Sequence, residues 1–568
     1  MNEPATPDNT ELIEAELLAH KVIAAQPGNL DAINSLGIIL LQQGRIEEAA
    51  EAFLGALSID PEREDVARNL VRAASACAKT VVEAGQFDDA LAALQYVIRV
   101  LPREQEILSQ MAFVLSQAGR FHEALAAAHK AINLNSGSAH AYDVQGQALM
   151  GLNRPNDAID SFKHALWLDR ENVPAIINFG SALMAVGRID DAVTCFDEAI
   201  LLDHANIQAY NNLGLAYSAR GDYLSAEMIL RQAVAIAPDY AEAHFNLSRV
   251  LLIQGNYQDG WRENEWRWKC REFPSTWRNF DYPMWQGEEL AGKTLLIWSE
   301  QGIGDEIMFA NPIPDVMAAG ADVVIECGER LVPVFQRSFE NAVVVARQDP
   351  PDTSIEAAQP DFQTPLASLC THLRKSRDDF ANIEGRYLSA DPDLTARLRD
   401  KYQTLGDGPV IGVCWRSGNP TAGHERSAPL KLWDKLFTQG PCTFMSLQYG
   451  DVADELAGVQ ERLGVTVHDD PDVDPFASAE DWFAQVATCD LVISIDNSTI
   501  QVSGSQGIPT WTMINTLPEW RFGDNGEGHD WHPYLRVFRQ ETAGDWGPLF
   551  DRVAEELAVW LALRSVPA

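Results

Sequence analysis

Small and apolar residues return every 34 positions through the first half of the chain, on a helical period within each unit. Pro102, Ser136, Arg170, His204 and Pro238 mark the turns at that step. Ala124, Ala158, Ala192 and Ala226 move with them, as do Ala131, Ala165, Ala199 and Ala233. Gly146, Gly180 and Gly214 keep the same phase, each three places before a bulky residue (Leu149, Leu183, Tyr217). The pattern predicts two helices per unit, with small residues where they cross. Upstream, Leu36-Gly37, Ala49, Phe53, Ala56 and Pro61 fit the same unit, but Pro61 and Pro102 stand 41 apart. The seven extra residues amount to about two helical turns, either an elongated first helix or a local break. Residues 12–26 read as a first helix ending at Pro27, a cap or half repeat.

This period and placement of small residues identify tetratricopeptide repeats, an α-solenoid predicted over residues 1–270. A solenoid offers a binding surface and catalyses nothing by itself, so any chemistry falls to the second half. The last unit starts at Ala241, and Gly260 stands where an alanine is expected. Its second helix is predicted to continue as WRENEWRWKCREF. Residues 261–278 hold Trp261, Trp266, Trp268 and Trp277 with five basic and three acidic residues. They fit either a surface for nucleic acid or sugar, or a capping helix that joins the solenoid to the next domain. A terminal repeat must bury its edge, which favours the cap.

After Trp285 the rhythm changes. Apolar runs 294–298, 323–327 and 342–346 alternate with helical stretches, with a proline-rich loop at 347–360. A second series follows at 409–415, 443–448, 465–468, 491–495 and 510–514. Two successive βαβ series separated near 388–408 predict two parallel sheets, Rossmann-like lobes with a cleft at their strand ends.

The net charge of −39 reverses the sign of any general attraction to nucleic acid or anionic membrane. The eight cysteines form no CxxC pair and read as reduced core residues. The polar, acidic N-terminus, MNEPATPDNTELIEAE, is not a signal peptide, and no apolar run approaches the ~18 residues that span a bilayer. A cytoplasmic protein is expected.

Three loops can carry chemistry. Ser299-Glu300-Gln301-Gly302-Ile303-Gly304-Asp305-Glu306 follows the first strand. Its two glycines permit close backbone approach, although it is neither a dinucleotide fingerprint nor a P-loop. Asp305 is placed at a helix N-terminus, as an N-cap or as a general base. Trp415-Arg416-Ser417-Gly418-Asn419-Pro420, with His424-Glu425-Arg426-Ser427, supplies fixed charge and donors suited to a diphosphate, or forms an ion-paired surface loop. Asp496-Asn497-Ser498-Thr499 opens a helix whose free N–H groups and hydroxyls suit an anion. Gln448-Tyr449-Gly450-Asp451 is either a contact for a base or ribose or a plain turn.

The ordered set WSEQGIGDEIMFA, VCWRSGNP with downstream RSAPL, SLQYGD and DLVISIDNSTIQVSGSQGIPTW resembles bacterial tetratricopeptide-repeat proteins with a GT-B glycosyltransferase domain related to heptosyltransferases. The resemblance covers nearly the whole chain. It implies a GT-B fold with an acceptor-side lobe at 271–400 and a nucleotide-sugar lobe at 401–568. In heptosyltransferases the aspartate of the Gly-Asp pair is the acceptor base, and Asp305 matches it. Their phosphate loop reads Asp-Thr-Gly followed by a histidine. Here Asp496-Asn497-Ser498-Thr499 and Gln501 stand instead, so the donor does not transfer. The Ser-Thr step is closer to the paired threonines of protein O-GlcNAc transferases, which also carry these repeats. The architecture is similar to that of flagellin glycosyltransferases of α-proteobacteria. That implies flagellin held by the solenoid and a CMP-linked nonulosonic (pseudaminic-type) acid donor.

The expectation is an inverting, metal-independent glycosyltransferase that needs no cofactor beyond its nucleotide-sugar co-substrate and modifies Ser or Thr of a protein. The absence of a DxD pair in a suitable loop fits this; Asp472-Val473-Asp474 lies between prolines, away from a strand end. Asp305 is the expected base. Gly302, Gly304, Arg416, Ser417, Arg426, Gln448, Asp496, Asn497, Ser498 and Thr499 are the expected donor contacts. The alternative is a non-catalytic scaffold with a degenerate transferase domain. Transfer to lipopolysaccharide would leave the solenoid without a purpose.

Overall fold

Gly44, Gly85, Gly119, Asn153 and Gly187 hold left-handed backbone, with φ between 57° and 77°, and each closes the turn between two helices. Glycine adopts this conformation without strain, and asparagine is the usual substitute. The computed structural model describes residues 9–381, 385–419 and 423–564; residues 1–8 of the acidic N-terminus and Pro420 of the arginine loop lie outside them. Packing divides the chain into two units, Met1–Tyr217 and Ser218–Ala568.

In the first unit, helices of 13 and 14 residues alternate, as in Ala139–Gly151 with Pro155–Leu168 and Val173–Ala185 with Ile189–Leu202. Where the first helix of a pair carries glycine at its crossing point, a phenylalanine of the second, sixteen positions on, packs against its backbone. A Cβ on Gly37 would stand 2.5 Å from the Phe53 ring, and one on Gly180 would stand 2.6 Å from Phe196. Gly146 and Phe162 repeat the arrangement. Phe53, Phe162 and Phe196 are fully buried, with the alanine columns Ala124, Ala158 and Ala192 beside them. The irregular step before Pro102 is an elongated helix, Glu64–Glu83, of 20 residues.

The second unit begins with Tyr223–Ile236, Ala241–Ile253 and the short Tyr257–Asn264. Here the sequence reading needs correction. The helix does not run on through WRENEWRWKCREF but stops at Asn264, followed by a tight turn, Glu265–Lys269. Arg267 Nη1 donates to the Asn264 carbonyl at 3.1 Å, occupying the acceptor that a continuing helix would offer residue 268. Its fork reaches Glu300 at 2.7 and 2.8 Å, with both side chains fully buried. Trp266 stacks on His244 with ring centroids 4.0 Å apart, and Trp268 packs on Trp277 and Trp298. Trp266 thus fastens this segment to the helix Ala241–Ile253, and Trp268 fastens it to the sheet that follows.

That sheet contains β1 (Thr294–Trp298), β2 (Asp322–Cys327), β3 (Val343–Ala346) and β4 (Phe362–Pro365), in the order β3-β2-β1-β4. A second sheet contains β5 (Val410–Cys414), β6 (Thr443–Ser446), β7 (Val467–His468), β8 (Leu491–Ile495), β9 (Thr510–Ile514) and β10 (Leu535–Arg539), in the order β10-β9-β8-β5-β6-β7. Every strand pair in both sheets is parallel. In each, the chain moves outward from its first strand and then returns to that strand's other side. Such reversals open a crevice at the carboxyl ends of the two strands, here β1/β4 and β5/β8. The helix Gly547–Arg564 closes the second sheet through Leu549, Phe550, Val553 and Leu557, which share a buried cluster with Ile411 and Ile493. Among the described residues no helix is long and apolar enough to cross a membrane.

Candidate functional site

The loops leaving β1, β5, β8 and β9 meet around one cleft of about 620 Å³ within the second unit. The β1 loop enters it through Gln301, whose φ of 62° is left-handed and rare for a side chain with a Cβ. Gly302 then caps the helix Ile303–Phe309, and Asp305 Oδ2 accepts from the Gly302 amide at 3.3 Å. A Cβ on Gly304 would stand 3.2 Å from that of Ser498, so this glycine lets the start of the helix Ser498–Ser505 come close. Asn497 caps that helix, its Oδ1 accepting from the Thr499 amide at 3.0 Å.

Charges in the cleft alternate along a chain of six side chains. Arg249 reaches Glu519 at 3.2 Å, and Glu519 also pairs with Arg426. Arg426 reaches Asp496 at 3.2 Å. Arg521 lies 3.5 Å from Asp496 and 3.4 Å from Asp305. Burial pushes the Asp496 carboxyl upward from its ordinary value, against the pull of Arg521 and Arg426. Burial also opposes ionisation of Glu519, but Arg249, Arg521 and Arg426 around it hold its carboxyl below the ordinary value. The β9 loop that brings Glu519 and Arg521 is anchored by Trp520, which packs edge-on against Trp261 at 5.4 Å and lies near Phe309.

Family models of the tetratricopeptide repeat match residues 13–64 and 173–239. These stretches are tetratricopeptide repeats. Protein FlbA of Caulobacter vibrioides is 32% identical over 321 residues, 54% of this chain and 53% of FlbA. The chain thus spans about half the length of that curated relative. Among solved structures, MamA aligns at 25% identity over 29% of this chain and 96% of that chain, with a TM-score of 0.25. YrrB, a repeat protein with an unusual peptide-binding site, aligns at 22% over 34% and 96%, with a TM-score of 0.27.

Of the residues expected from the sequence, Gly302, Gly304, Asp305, Ser417, Arg426, Asp496, Asn497 and Ser498 line the cleft. Arg416, Gln448 and Thr499 are not among its lining residues. The Arg416 guanidinium pairs with Glu455 at 3.3 Å and donates to the Asp451 carbonyl at 2.9 Å. Gln448 is buried, its Oε1 accepting from the Trp415 and Arg416 amides at 3.0 and 2.8 Å, so it fixes the end of β5. Thr499 turns inward, its hydroxyl 3.7 Å from Cys414 Sγ. Tyr449, beside Gln448, does reach the cleft, and its hydroxyl accepts from the Gly418 amide.

The other acids of the β1 loop are committed elsewhere. Glu300 is held by Arg267. Glu306 accepts from the Gly328 amide at 2.8 Å, and burial pushes its carboxyl up to about 7. Sequence reasoning missed Arg249, Arg330, Glu519, Trp520 and Arg521, all of which line the cleft. The signal for the last three was available: Pro518-Glu519-Trp520-Arg521-Phe522 follows a strand, as the other loops do. Gln501 also faces the cleft, its Oε1 held 2.7 Å from Nε2 of the fully buried His532.

Proposed function

We propose that this protein is a glycosyltransferase moving a sugar from a nucleotide-sugar donor to Ser or Thr of a protein held by its repeats. The observation that carries this reading is a cleft that draws on the carboxyl ends of two separate parallel sheets. It brings the glycine loop with Asp305 to face the helix start at Ser498. Asp305 takes the proton of the acceptor hydroxyl as its oxygen attacks the anomeric carbon. The bond from that carbon to the leaving phosphate oxygen breaks, and the configuration inverts. Arg426 and the Ser498 hydroxyl, at the start of the helix Ser498–Ser505, receive the charge that develops on the departing phosphate. Repeats of this kind generally hold protein partners, which gives the acceptor its place. The resemblance to flagellin glycosyltransferases points to flagellin as acceptor and a CMP-linked nonulosonic acid as donor.

A second reading has one observation in its favour. Arg249, Arg426 and Arg521 are all engaged by carboxylates already, as in a scaffold that has lost turnover. Incubating the full chain with flagellin and either CMP-linked nonulosonic acids or UDP-linked hexoses separates the two. Nucleotide release with a matching gain in acceptor mass is the result expected of the transferase. Acceptor binding without release from any donor would establish the scaffold.

A further inference from the structure

We infer that Arg521 is a further anion-binding residue of this cleft, beside Arg426, and that Asp305 competes with the anion for its guanidinium. The inference rests on the donor-site reading above and adds an order of events to it. Arg521 is the least satisfied cation lining the cleft. Its contacts to Asp305 and Asp496 are 3.4 and 3.5 Å long, well beyond the roughly 2.7–2.9 Å of a full charge-assisted hydrogen bond. Its Nε is buried and has no hydrogen-bond partner. The other cations are better served, Arg249 being half exposed to water and reaching Glu519 at 3.2 Å. Arg426 makes a close pair with Glu519 and a 3.2 Å contact to Asp496. Arg330 Nη1 donates to the Pro475 and Phe476 carbonyls at 2.8 and 3.2 Å.

A largely buried guanidinium with weak partners and a spare donor gains most from a compact anion offering two oxygens, such as a phosphate ester or a carboxylate. The turn that bears it is fixed by Trp520, so the fork has only to rotate. Asp305 is held in the meantime, with Oδ1 on Arg521 and Oδ2 on the Gly302 amide. An anion that recruits the Arg521 fork releases Oδ1, leaving one oxygen of Asp305 able to accept a proton from the acceptor hydroxyl. The anionic donor therefore binds first and arms the base; an acceptor arriving early meets an occupied carboxylate.

Calorimetry on the full chain with CMP, UDP, GDP and pyrophosphate tests this without needing turnover. Arg521→Met should weaken the best-binding probe by roughly tenfold to a hundredfold, with Arg521→Lys in between. Asp305→Asn removes the competing carboxylate and should tighten the same probe by roughly threefold to tenfold. That gain should vanish when Arg521→Met is added, a coupling that a purely structural arginine would not produce. Wild-type binding that is indifferent to Arg521→Met, or Asp305→Asn binding no tighter than wild type, overturns the inference and leaves the donor site standing. If Arg521→Met does not fold, the comparison of Asp305→Asn with wild type decides alone. Failure of every probe to bind wild type overturns both the inference and the donor site.

Discussion

Replacing Arg267 by methionine tests what holds the β1 loop to the end of the repeats. All of the guanidinium's hydrogen-bonding edges are used. Nε and Nη2 reach Glu300 at 2.8 and 2.7 Å, Nη2 also reaches Ser368 at 3.0 Å, and Nη1 reaches Glu265 at 2.9 Å and the Asn264 carbonyl at 3.1 Å. Methionine retains most of the apolar stem but leaves the buried Glu300 carboxylate with the Ala367 amide, at 3.0 Å, as its remaining partner. Breaking one side of a buried pair costs about 3–5 kcal/mol, most of it the penalty of the stranded charge. Urea unfolding of the full chain, followed by tryptophan fluorescence, reads this directly, because Trp268 and Trp298 lie 5.2 Å apart beside the pair. The transition of the unit Ser218–Ala568 should lose about 3–5 kcal/mol, while that of Met1–Tyr217 stays in place. Adding Glu300→Leu should restore most of the loss, since no buried charge is then left unpaired. A single variant within about 1 kcal/mol of wild type would refute the reasoning.

Gly180→Val should destabilise the Met1–Tyr217 unit by roughly 1–3 kcal/mol, because the new side chain meets the Phe196 ring; thermal melting checks it. Glu306→Gln should stabilise the chain at pH 8 and not at pH 4. The native carboxyl, pushed up to about 7 by burial, holds its proton more tightly than the unfolded one at 4.5. Its contribution is therefore fully present below pH 4.5 and lost as pH rises through 7, and the amide removes that loss, roughly 2–3 kcal/mol by urea titration. His532 has the opposite sign. Burial pushes its ring down to about 3 from 6.5, so the stability it contributes above pH 6.5 falls as pH drops toward 3. The slope is about 1.4 kcal/mol per pH unit for each such ring, and urea midpoints against pH in the Glu306→Gln background measure it.

The repeats were legible because their constraint is periodic. A glycine under Phe162 and another under Phe196 leave the same mark 34 residues apart, and the elongated helix Glu64–Glu83 left a step of 41. Strands buried on both faces, such as Val410–Cys414 and Leu491–Ile495, read as apolar runs for the same reason. Two strands escaped. Phe362–Pro365 is four residues ending in proline, and Leu535–Arg539 is an edge strand broken by arginines. Neither has enough apolar length to stand out.

Strand-end loops located the cleft, but residue type alone could not tell which side chains face it. Arg416 and Arg426 look alike in sequence, yet Glu455 draws one away while Asp496 and Glu519 hold the other at the cleft. Gln448 and Thr499 were lost in the same way, to the backbone end of β5 and to Cys414. Arg249 comes from a repeat helix, where no strand-end rule applies.

The intact mass of flagellin tests the central claim most directly, taken from cells with the wild-type protein, without the protein, and with Asp305→Asn. Wild-type cells should yield flagellin heavier by whole multiples of one sugar residue, and cells without the protein should yield the unmodified mass. A general base contributes roughly 10²–10⁴-fold, so the Asn variant should leave flagellin essentially unmodified while the protein itself stays folded and binds nucleotide. Flagellin of the same mass with and without the protein would contradict the account, and full modification by the Asn variant would remove Asp305 from the chemistry.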